Sequence, residues 1–324
     1  MINTQWFSKL KRRTHSVLRA TACSAVLLLP AALVVMAPAQ AQAATADTRY
    51  PIVLVHGLLG FDKLFGLDYF YGIPTALTRD GARVYVATVS AANSNEVRGE
   101  QLLAQVKTIL AVTGASKVNL IGHSQGSPTA RYVAGVAPQM VASVTSVGGV
   151  NQGSRVADVV RNVIPSNFFT AGIFNSIGNA FVSLMNLATN NSGLPQNATA
   201  ALDSLTTTGS RTFNSRFPQG LTTGCGSGPE LVNGIRYFSW AGIQPLTNPL
   251  DITDGPIGLL SWAFSEPNDG LVSACASRLG THLGDYHQNH LDEVNQVAGL
   301  RNIFATDPVT LYRQQATRLK SLGL

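Results

Sequence analysis

The pentapeptide Gly122-His123-Ser124-Gln125-Gly126 constrains the fold of this chain more than any other feature. It follows the stretch KVNLI at residues 117–121, a strand candidate, and it precedes a stretch that predicts a helix. A GxSxG motif between a strand and a helix is typical of a sharp turn that lifts the serine hydroxyl into a site. Glycines at both ends are then required, because side chains there would collide with the neighbouring strand and helix. Ser124 is therefore a candidate nucleophile.

Strand-like and helix-like segments alternate along the chain. Apolar runs rich in β-branched residues predict further strands at residues 50–55, 83–89 and 141–147. Between the second of these runs and the motif, apolar residues recur at helical spacing over residues 101–112, and Gly114 is expected to end that helix. Such alternation is typical of a parallel sheet covered by helices on both faces. The sequence predicts an α/β fold.

The first 43 residues differ in composition from the rest. They hold five of the 23 basic residues, no acidic residue, an apolar stretch at 20–36 and small residues at Ala41-Gln42-Ala43, an order typical of a cleaved secretory signal peptide. A membrane anchor is the alternative, disfavoured because the stretch falls short of the roughly 20 residues that a span needs and contains Pro30. Without this segment the basic and acidic residues nearly balance, so the formal charge of +6 indicates no nucleic-acid partner. We expect a secreted protein whose single domain covers residues 44–324.

The cysteines fit an exported protein. Of the three, one lies within the predicted signal peptide, which leaves Cys225 and Cys275. An isolated pair of cysteines in an oxidising compartment is typical of one disulfide bond. We therefore expect these two residues to be joined.

A serine hydroxyl needs a histidine base held by a carboxylate, and after a motif of this kind the chain order is serine, acid, histidine. Downstream of Ser124 the histidines are His282, His287 and His290, and their spacing does not choose among them. Asp269 lies between, in an Asn-Asp-Gly turn followed by an apolar pair that predicts a strand end. Asp269 is the candidate acid.

Two main-chain N–H groups are the candidates for stabilising a developing oxyanion. One is that of Gln125, directly after the serine, and the other is that of Leu58, in the His-Gly-Leu-Leu-Gly stretch that follows the first predicted strand.

Residues 162–202 contain no Asp, Glu, Lys or Arg. Apolar side chains between Phe169 and Met185 recur on one helical face, and four polar side chains fall on the opposite face. The pattern fits either a buried helix of a second layer or a helix whose apolar face is alternately buried and exposed. Beside a lipid-active site this stretch, within residues 160–205, would be a lid.

Several stretches resemble the secreted bacterial true lipases of the Pseudomonas/Burkholderia type, which share the α/β-hydrolase fold. They are RYPIVLVHGLLGFDKLFGLDYFYGIP, RGEQLLAQV, KVNLIGHSQG, NDGLVS, NHLDEVNQV and YRQQATRLK, spread from Arg49 to the C-terminus. The resemblance implies a mostly parallel sheet flanked by helices, with a helical lid. It implies that His290 is the base and Asp269 the acid, and it matches the Cys225–Cys275 pair to the family's single bridge.

The resemblance also implies one structural calcium ion. The implied ligands are the side chains of Asp251 and Asp292 and the main-chain carbonyls of Gln296 and Leu300. Asp254 is an alternative to Asp251. Because Asp292 is two residues from His290, the ion would fix the loop that carries the base. A membrane-anchored foldase chaperone is also implied as a partner.

The chain departs from the family pattern in two places near the serine. Ser127 replaces a glycine common there, and Val150 and Asn151 stand where relatives usually have Pro-His. The expected function is a serine carboxylic-ester hydrolase, namely a triacylglycerol lipase that works through an acyl-enzyme and opens its lid at an oil–water interface. A carboxylesterase or polyester hydrolase with the same triad is the alternative.

Overall fold

A seven-stranded sheet forms the centre of the molecule in the computed structural model, which describes residues 45–58, 60, 63–64, 67–161 and 194–324. The strands are β1 (Ile52–Val55), β2 (Lys63–Leu64), β3 (Leu67–Asp68), β4 (Val84–Ala87), β5 (Val118–His123), β6 (Val141–Val147), β7 (Leu231–Val232), β8 (Ile235–Gly242) and β9 (Thr281–Tyr286). The α-helices are α1 (Ile73–Arg79), α2 (Asn95–Thr113), α3 (Gly126–Val136), α4 (Arg155–Val160), α5 (Ala198–Leu205), α6 (Thr207–Arg216), α7 (Asp254–Leu260) and α8 (Pro308–Ser321).

The sheet is mostly parallel. Its order is β4-β1-β5-β6-β8, and both β9, which is parallel, and β7, which is antiparallel, pair with β8. Strands β2 and β3 form a separate antiparallel pair. Because the carboxyl ends of parallel strands meet at one edge, the loops after β1, β5 and β6 converge there. The mostly parallel sheet flanked by helices that was expected from the sequence is confirmed.

Strand β1 shows why the strands read as continuous apolar runs. Val53 and Val55 pack with α2 and α3 on one face of the sheet, whereas Ile52 and Leu54 pack with α1 and α8 on the other. All four side chains are fully buried. Alternation of side chains along a strand therefore fills two cores at once.

The expected elements are present, with shifted ends. Strand β6 covers residues 141–147 as expected, whereas β4 is shorter than the expected 83–89 and lies at the sheet edge, where Val86 is half exposed. Helix α2 begins six residues before the apolar pattern, because Ser94 caps it by accepting a hydrogen bond from Val97 N–H. Gly114 ends that helix at φ 66°, as expected.

Cys225 and Cys275 form a disulfide bond with their Cα atoms 4.7 Å apart, which confirms the pairing. The predicted signal peptide, residues 1–43, lies outside the described residues, as do residues 162–193, which hold most of the predicted lid. Within the described ranges, no helix combines the length and apolar character that crossing a bilayer requires.

Candidate active site

Ser124 lies on a sharp turn between β5 and α3. Its φ of 56° is in the left-handed region, which a non-glycine residue adopts at a cost of about 1–3 kcal/mol and keeps only where neighbours hold it there. The Ser124 N–H donates to the Val147 carbonyl at 2.9 Å, and the Ser124 carbonyl accepts from the N–H groups of Ser127 and Val150. The residue is thus tied to the end of β6 and to the loop that follows it, as expected of a nucleophile on a strained turn.

The glycines that flank Ser124 are required for the reason inferred from the sequence. A Cβ atom on Gly122 would lie 2.2 Å from the carbonyl oxygen of Gly126, and one on Gly126 would lie 2.1 Å from that of Val55. Backbone atoms cannot move aside as a flexible side chain can. Glycine at 122 therefore lets the turn close on itself, and glycine at 126 lets it pack against β1.

His290 and Asp269 are in direct contact. The His290 Nδ1–H donates to Asp269 Oδ2 at 2.7 Å, and the His290 main-chain N–H donates to the Asp269 carbonyl. The other carboxylate oxygen of Asp269 accepts from the N–H groups of Leu271 and Val272. These hydrogen bonds are those of a carboxylate that is itself held in place and that fixes the orientation of an imidazole.

The prediction of a strand end beside Asp269 is wrong. The residue lies instead in a tight turn closed by an isolated bridge between Asn268 and Ser273. The two apolar residues after the Asn-Asp-Gly signal fold back toward Asp269, because its carboxylate accepts their N–H groups, so they do not extend along a neighbour.

The two sides of the site meet at His123. His123 directly precedes Ser124. The centroid of its ring lies 4.6 Å from the centroid of the His290 ring, so the turn and His290 are neighbours. His282, an alternative base, is instead in contact with Asp285 on β9 at 2.8 Å. Of the three downstream histidines, the structure brings His290 to Asp269.

The loop after β1 packs on the Ser124 side chain. A Cβ on Gly57 would lie 2.6 Å from Ser124 Cβ and 3.1 Å from its Oγ, so the loop backbone reaches the hydroxyl. Leu58 follows directly, and Gln125, at the N-terminus of α3, follows the serine. Both predicted oxyanion donors therefore belong to segments that border the Ser124 side chain.

His56, at the start of this loop, is neutral. Burial and the nearby charge of Arg98 lower the pKa of its imidazole to about 3. Its Nδ1–H donates to the Gly57 carbonyl at 2.9 Å and its Nε2 accepts from the Val89 N–H at 3.3 Å. The ring therefore braces the loop as a neutral hydrogen-bonding group.

A buried chain of hydrogen bonds that the sequence did not indicate runs from this loop to Glu293, which lies close to His290. Gly57 N–H donates to the Tyr69 hydroxyl, which donates to His123 Nδ1 at 2.6 Å, and His123 Nε2 lies 3.2 Å from Glu293. The same carboxylate accepts from the Gly242 N–H and comes within 3.7 Å of His290 Nδ1. Tyr69 and Glu293 lie in stretches that carry the family resemblance, but the sequence assigned them no role, which follows only from their burial and hydrogen bonds.

Burial favours the neutral forms of the two ionisable side chains at the end of this row of hydrogen bonds, His123 and Glu293. Burial and the charge of Asp269 raise the pKa of Glu293 well above its usual value, while burial and the charge of His290 lower that of His123. Donor atoms of His123, His290 and Glu293 lie within 4.8 Å of one another, close enough to hold a metal ion. Each of these residues is already engaged in the hydrogen bonds described above, so the cluster is explained without a metal ion.

The two carboxylates predicted to bind calcium, Asp251 and Asp292, are buried, and each has one oxygen atom that accepts no hydrogen bond from the described residues. These atoms are Asp251 Oδ2 and Asp292 Oδ1. Burial, with a contribution from the charges of Asp254 and Asp251, raises the pKa of Asp292 to about 7. Two buried carboxylates with free oxygens suit a hard cation that takes oxygen ligands.

Asp254, the alternative ligand, is differently placed. Its two oxygens accept from the N–H groups of Thr247 and Asn248, from the Thr247 hydroxyl and from the Asn289 amide. It is therefore satisfied without a cation, which favours Asp251 over Asp254. The other predicted ligands lie on the loop after Asp292, where the Gln296 side chain donates to the carbonyls of residues 68 and 69.

The two departures from the family pattern contact each other. Ser127 Oγ–H donates to Asn151 Oδ1 at 2.8 Å, and the Asn151 amide donates to Ser146 Oγ and to the Ser277 carbonyl. Both side chains are fully buried. They form one hydrogen-bonded unit beneath the loop whose Val150 N–H donates to the Ser124 carbonyl.

Comparison with known proteins places this geometry in a family. A sequence profile of the α/β-hydrolase fold matches residues 50–293. A triacylglycerol lipase of Vibrio cholerae is 57% identical over 290 residues, covering 89% of this chain and 93% of that protein. The chain belongs to the bacterial true lipases of the α/β-hydrolase fold. Triacylglycerol lipases of Pseudomonas fragi and Burkholderia plantarii are each 43% identical over 86% of this chain, and cover 99% and 88% of those proteins.

Solved structures agree on the fold. A lipase of Bacillus licheniformis in its mature form superposes with a TM-score of 0.53 at 21% identity, covering 75% of this chain and 85% of that one. A metagenomic carboxyl esterase superposes with a TM-score of 0.57 at 19% identity, covering 85% and 76%. At these identities the likeness concerns the fold alone.

Proposed function

We propose that this bacterial true lipase hydrolyses the ester bonds of triacylglycerols through an acyl-enzyme on Ser124. The observation that carries the proposal is the His290–Asp269 pair, joined at 2.7 Å and lying beside a turn that keeps Ser124 at φ 56°. A nucleophile on a strained turn, with a base oriented by a carboxylate, is the arrangement that acyl transfer requires. The names of the relatives in Vibrio, Pseudomonas and Burkholderia support the substrate class.

The reaction proceeds in two halves. Ser124 Oγ attacks the ester carbonyl while His290 Nε2 takes the hydroxyl proton, and the proton then passes to the departing alkoxide oxygen. Water attacks the acyl-enzyme in the same way, and His290 returns the proton to Ser124. Asp269 remains ionised, holds Nδ1 protonated and stabilises the imidazolium.

The N–H groups of Leu58 and Gln125 hold the negative oxygen of each tetrahedral intermediate. A preorganised donor of this kind contributes about 3–4 kcal/mol to transition-state stabilisation. The proposal is supported by the approach of the Gly57 backbone to the Ser124 side chain, since Leu58 N is the next donor along the loop.

A calcium ion held by Asp251, Asp292 and the carbonyls of Gln296 and Leu300 completes the proposal. It supplies positive charge to two buried carboxylates and is structural. Support comes from the unpartnered oxygens of Asp251 and Asp292. Since Asp292 is two residues from His290, the ligands hold the loop that carries the base.

We further propose that the protein is exported and that its N-terminal segment is a signal peptide, on the composition of residues 1–43. The uncharged stretch within residues 160–205 is proposed as the lid that opens at an oil–water interface, because its apolar face is less costly there than in water. Resemblance to the family supports a membrane-anchored foldase as the folding partner.

The proposal is tested by comparing rates on three substrates: emulsified long-chain triglyceride, a soluble short-chain ester and a polyester film. We expect the emulsified triglyceride to be the fastest and the Ser124→Ala variant to lose about 10⁶-fold on all three. A fully buried serine elsewhere in the sheet supplies the matched control, Ser143→Ala, which should keep its activity. Faster hydrolysis of the soluble ester or of the film would assign the alternative, a carboxylesterase or polyester hydrolase.

A further inference from the structure

Arg98, in α2, is a fully buried cation without an acidic partner. Its NH2 group donates to the His56 carbonyl at 2.5 Å, its NH1 group to the Ser90 carbonyl and its Nε to Thr129 Oγ1 at 3.2 Å. All three acceptors are uncharged. Among the ion pairs of the residues that the structure describes, none includes Arg98.

An arrangement of this kind is uncommon because a charge loses its hydration on burial. Buried arginines are normally paired with a carboxylate, and an unpaired charge destabilises the folded state by several kcal/mol. Burial lowers the pKa of Arg98 to about 9, so the side chain still carries its charge at neutral pH. A cation retained at such a cost, close to an active site, indicates a function.

Two of the three partners of Arg98 belong to the segments that carry the proposed oxyanion donors, and the third, Ser90, follows β4. His56, whose carbonyl it holds, begins the loop that leads to Leu58. Thr129, whose hydroxyl it holds, in turn donates to the Gln125 carbonyl at 2.8 Å. One guanidinium therefore links the loop that leads to Leu58 with the first turn of α3, which begins after Gln125.

We propose that Arg98 is the positioning residue of the oxyanion site and that its unpaired charge stabilises the negative oxygen of the tetrahedral intermediate. The fork geometry of the guanidinium fixes the loop after β1 and the start of α3 relative to each other. In a buried site a positive charge acts on a developing anion over several ångströms, because little water screens it. This inference rests on the proposed acyl-enzyme mechanism.

Arg131, in α3, offers a matched control. It is also buried, its NH2 group donates to uncharged acceptors on Asn214 and Phe217, and burial lowers its pKa to about 10. Its NH1 group lies 3.5 Å from Asn151 Oδ1, but among the described residues it makes no hydrogen bond to the loop after β1 or to residues 124 and 125. Replacing either arginine removes a buried charge, and only Arg98 is linked to the oxyanion donors.

The test compares Arg98→Met, Arg98→Lys and Arg131→Met by kcat and KM on a soluble short-chain ester and by inhibition with an alkyl boronic acid. The boron of the inhibitor bonds to Ser124 Oγ, the hydroxyl proton passes to His290 and no group leaves, so the adduct is a tetrahedral anion like the intermediate. Melting temperature is measured for each variant as the readout of a purely structural role.

We expect Arg98→Met to lose about 10- to 100-fold in kcat with KM changed less than about 3-fold, and to lose boronate affinity in proportion. Arg98→Lys, which keeps the charge, should recover at least half of that loss on a logarithmic scale. Arg131→Met should lose stability while its kcat and boronate affinity stay within about 3-fold of the parent. Unchanged boronate affinity in Arg98→Met, or equal losses in both arginine-to-methionine variants, would overturn the proposal.

If Arg98→Met does not fold, Thr129→Val tests the link to Gln125. The expected result is a boronate affinity about 3- to 10-fold weaker at unchanged KM, and an unchanged affinity overturns the proposal. Failure of the mechanism itself is separately visible. In that case the parent protein forms no boronate adduct at all, and Ser124→Ala behaves like the parent.

Discussion

Removal of the proposed calcium ion should destabilise this lipase in a way that depends on pH. In the ion-free protein the pKa of Asp292 is raised to about 7 from an ordinary value near 3.8. At 1.36 kcal/mol per pH unit, keeping this carboxylate ionised without a cation destabilises the folded state by about 4 kcal/mol above pH 7. For a domain of this size that corresponds to a fall in melting temperature of roughly 10 °C.

The sign of the pH dependence follows from where the proton binds. Between pH 3.8 and 7 the ion-free folded state holds a proton on Asp292 that the unfolded state has lost, so its stability falls as pH rises through that window. A bound cation removes this loss because it replaces the proton. Calcium should therefore raise the melting temperature more at pH 8 than at pH 5.

The assay uses protein stripped of calcium on a chelating resin and then titrated with calcium chloride, with melting followed by calorimetry. Asp292→Asn keeps the shape and removes the charge, so calcium should no longer raise its melting temperature. Asp47→Asn, which alters an exposed carboxylate, should respond as the parent does. The reasoning is refuted if calcium shifts the melting temperature equally at pH 5 and pH 8, or if Asp292→Asn keeps the full shift.

Three further predictions concern the fold around the site. Gly126→Ala should destabilise the protein by about 3 kcal/mol or more in urea unfolding, because its Cβ would lie 2.1 Å from a carbonyl oxygen, whereas Gly224→Ala, in open space, should change little. The pKa of His56 is about 3 in the folded state and 6.5 in the unfolded state, so the free energy of unfolding should fall as pH drops from 6.5 toward 3, by up to about 1.4 kcal/mol per pH unit. His56→Asn should flatten that slope in urea titrations at several pH values. An equally steep slope in the variant would contradict the buried neutral ring. Cys225→Ser with Cys275→Ser, which opens a loop of 50 residues, should lower the free energy of unfolding by about 4 kcal/mol, and an unchanged urea midpoint would show that the bridge does not constrain the unfolded chain.

The parts of the fold that follow from local chemistry could be predicted from the sequence. A continuous apolar run marked β1, since all four of its side chains are buried. The glycines at 122 and 126 marked the turn, because steric exclusion by nearby backbone acts whatever the rest of the fold. The Asn-Asp-Gly signal placed Asp269 in a turn, yet its carboxylate folds the next residues back, so the predicted strand is absent.

Contacts between segments distant in sequence could not be predicted from single residues. Arg98 and Glu293 lie among other buried polar residues, and no pattern of single residues shows that these side chains are buried together. The first turns of α2 carry no apolar periodicity, because Asn95 and Arg98 are buried there for hydrogen bonding. Similarly, the choice of His290 over His282 depended on family resemblance, since spacing gives no information about which histidine reaches Asp269.

The most direct test of the mechanism is labelling with a p-nitrophenyl alkylphosphonate followed by peptide mass spectrometry. We expect one label per chain, on Ser124, with release of one equivalent of p-nitrophenol and loss of ester hydrolysis in step with labelling. His290→Ala should label at least 100-fold more slowly, because no base then removes the hydroxyl proton. A label on another residue, or labelling of Ser124→Ala at the parent rate, would contradict the account.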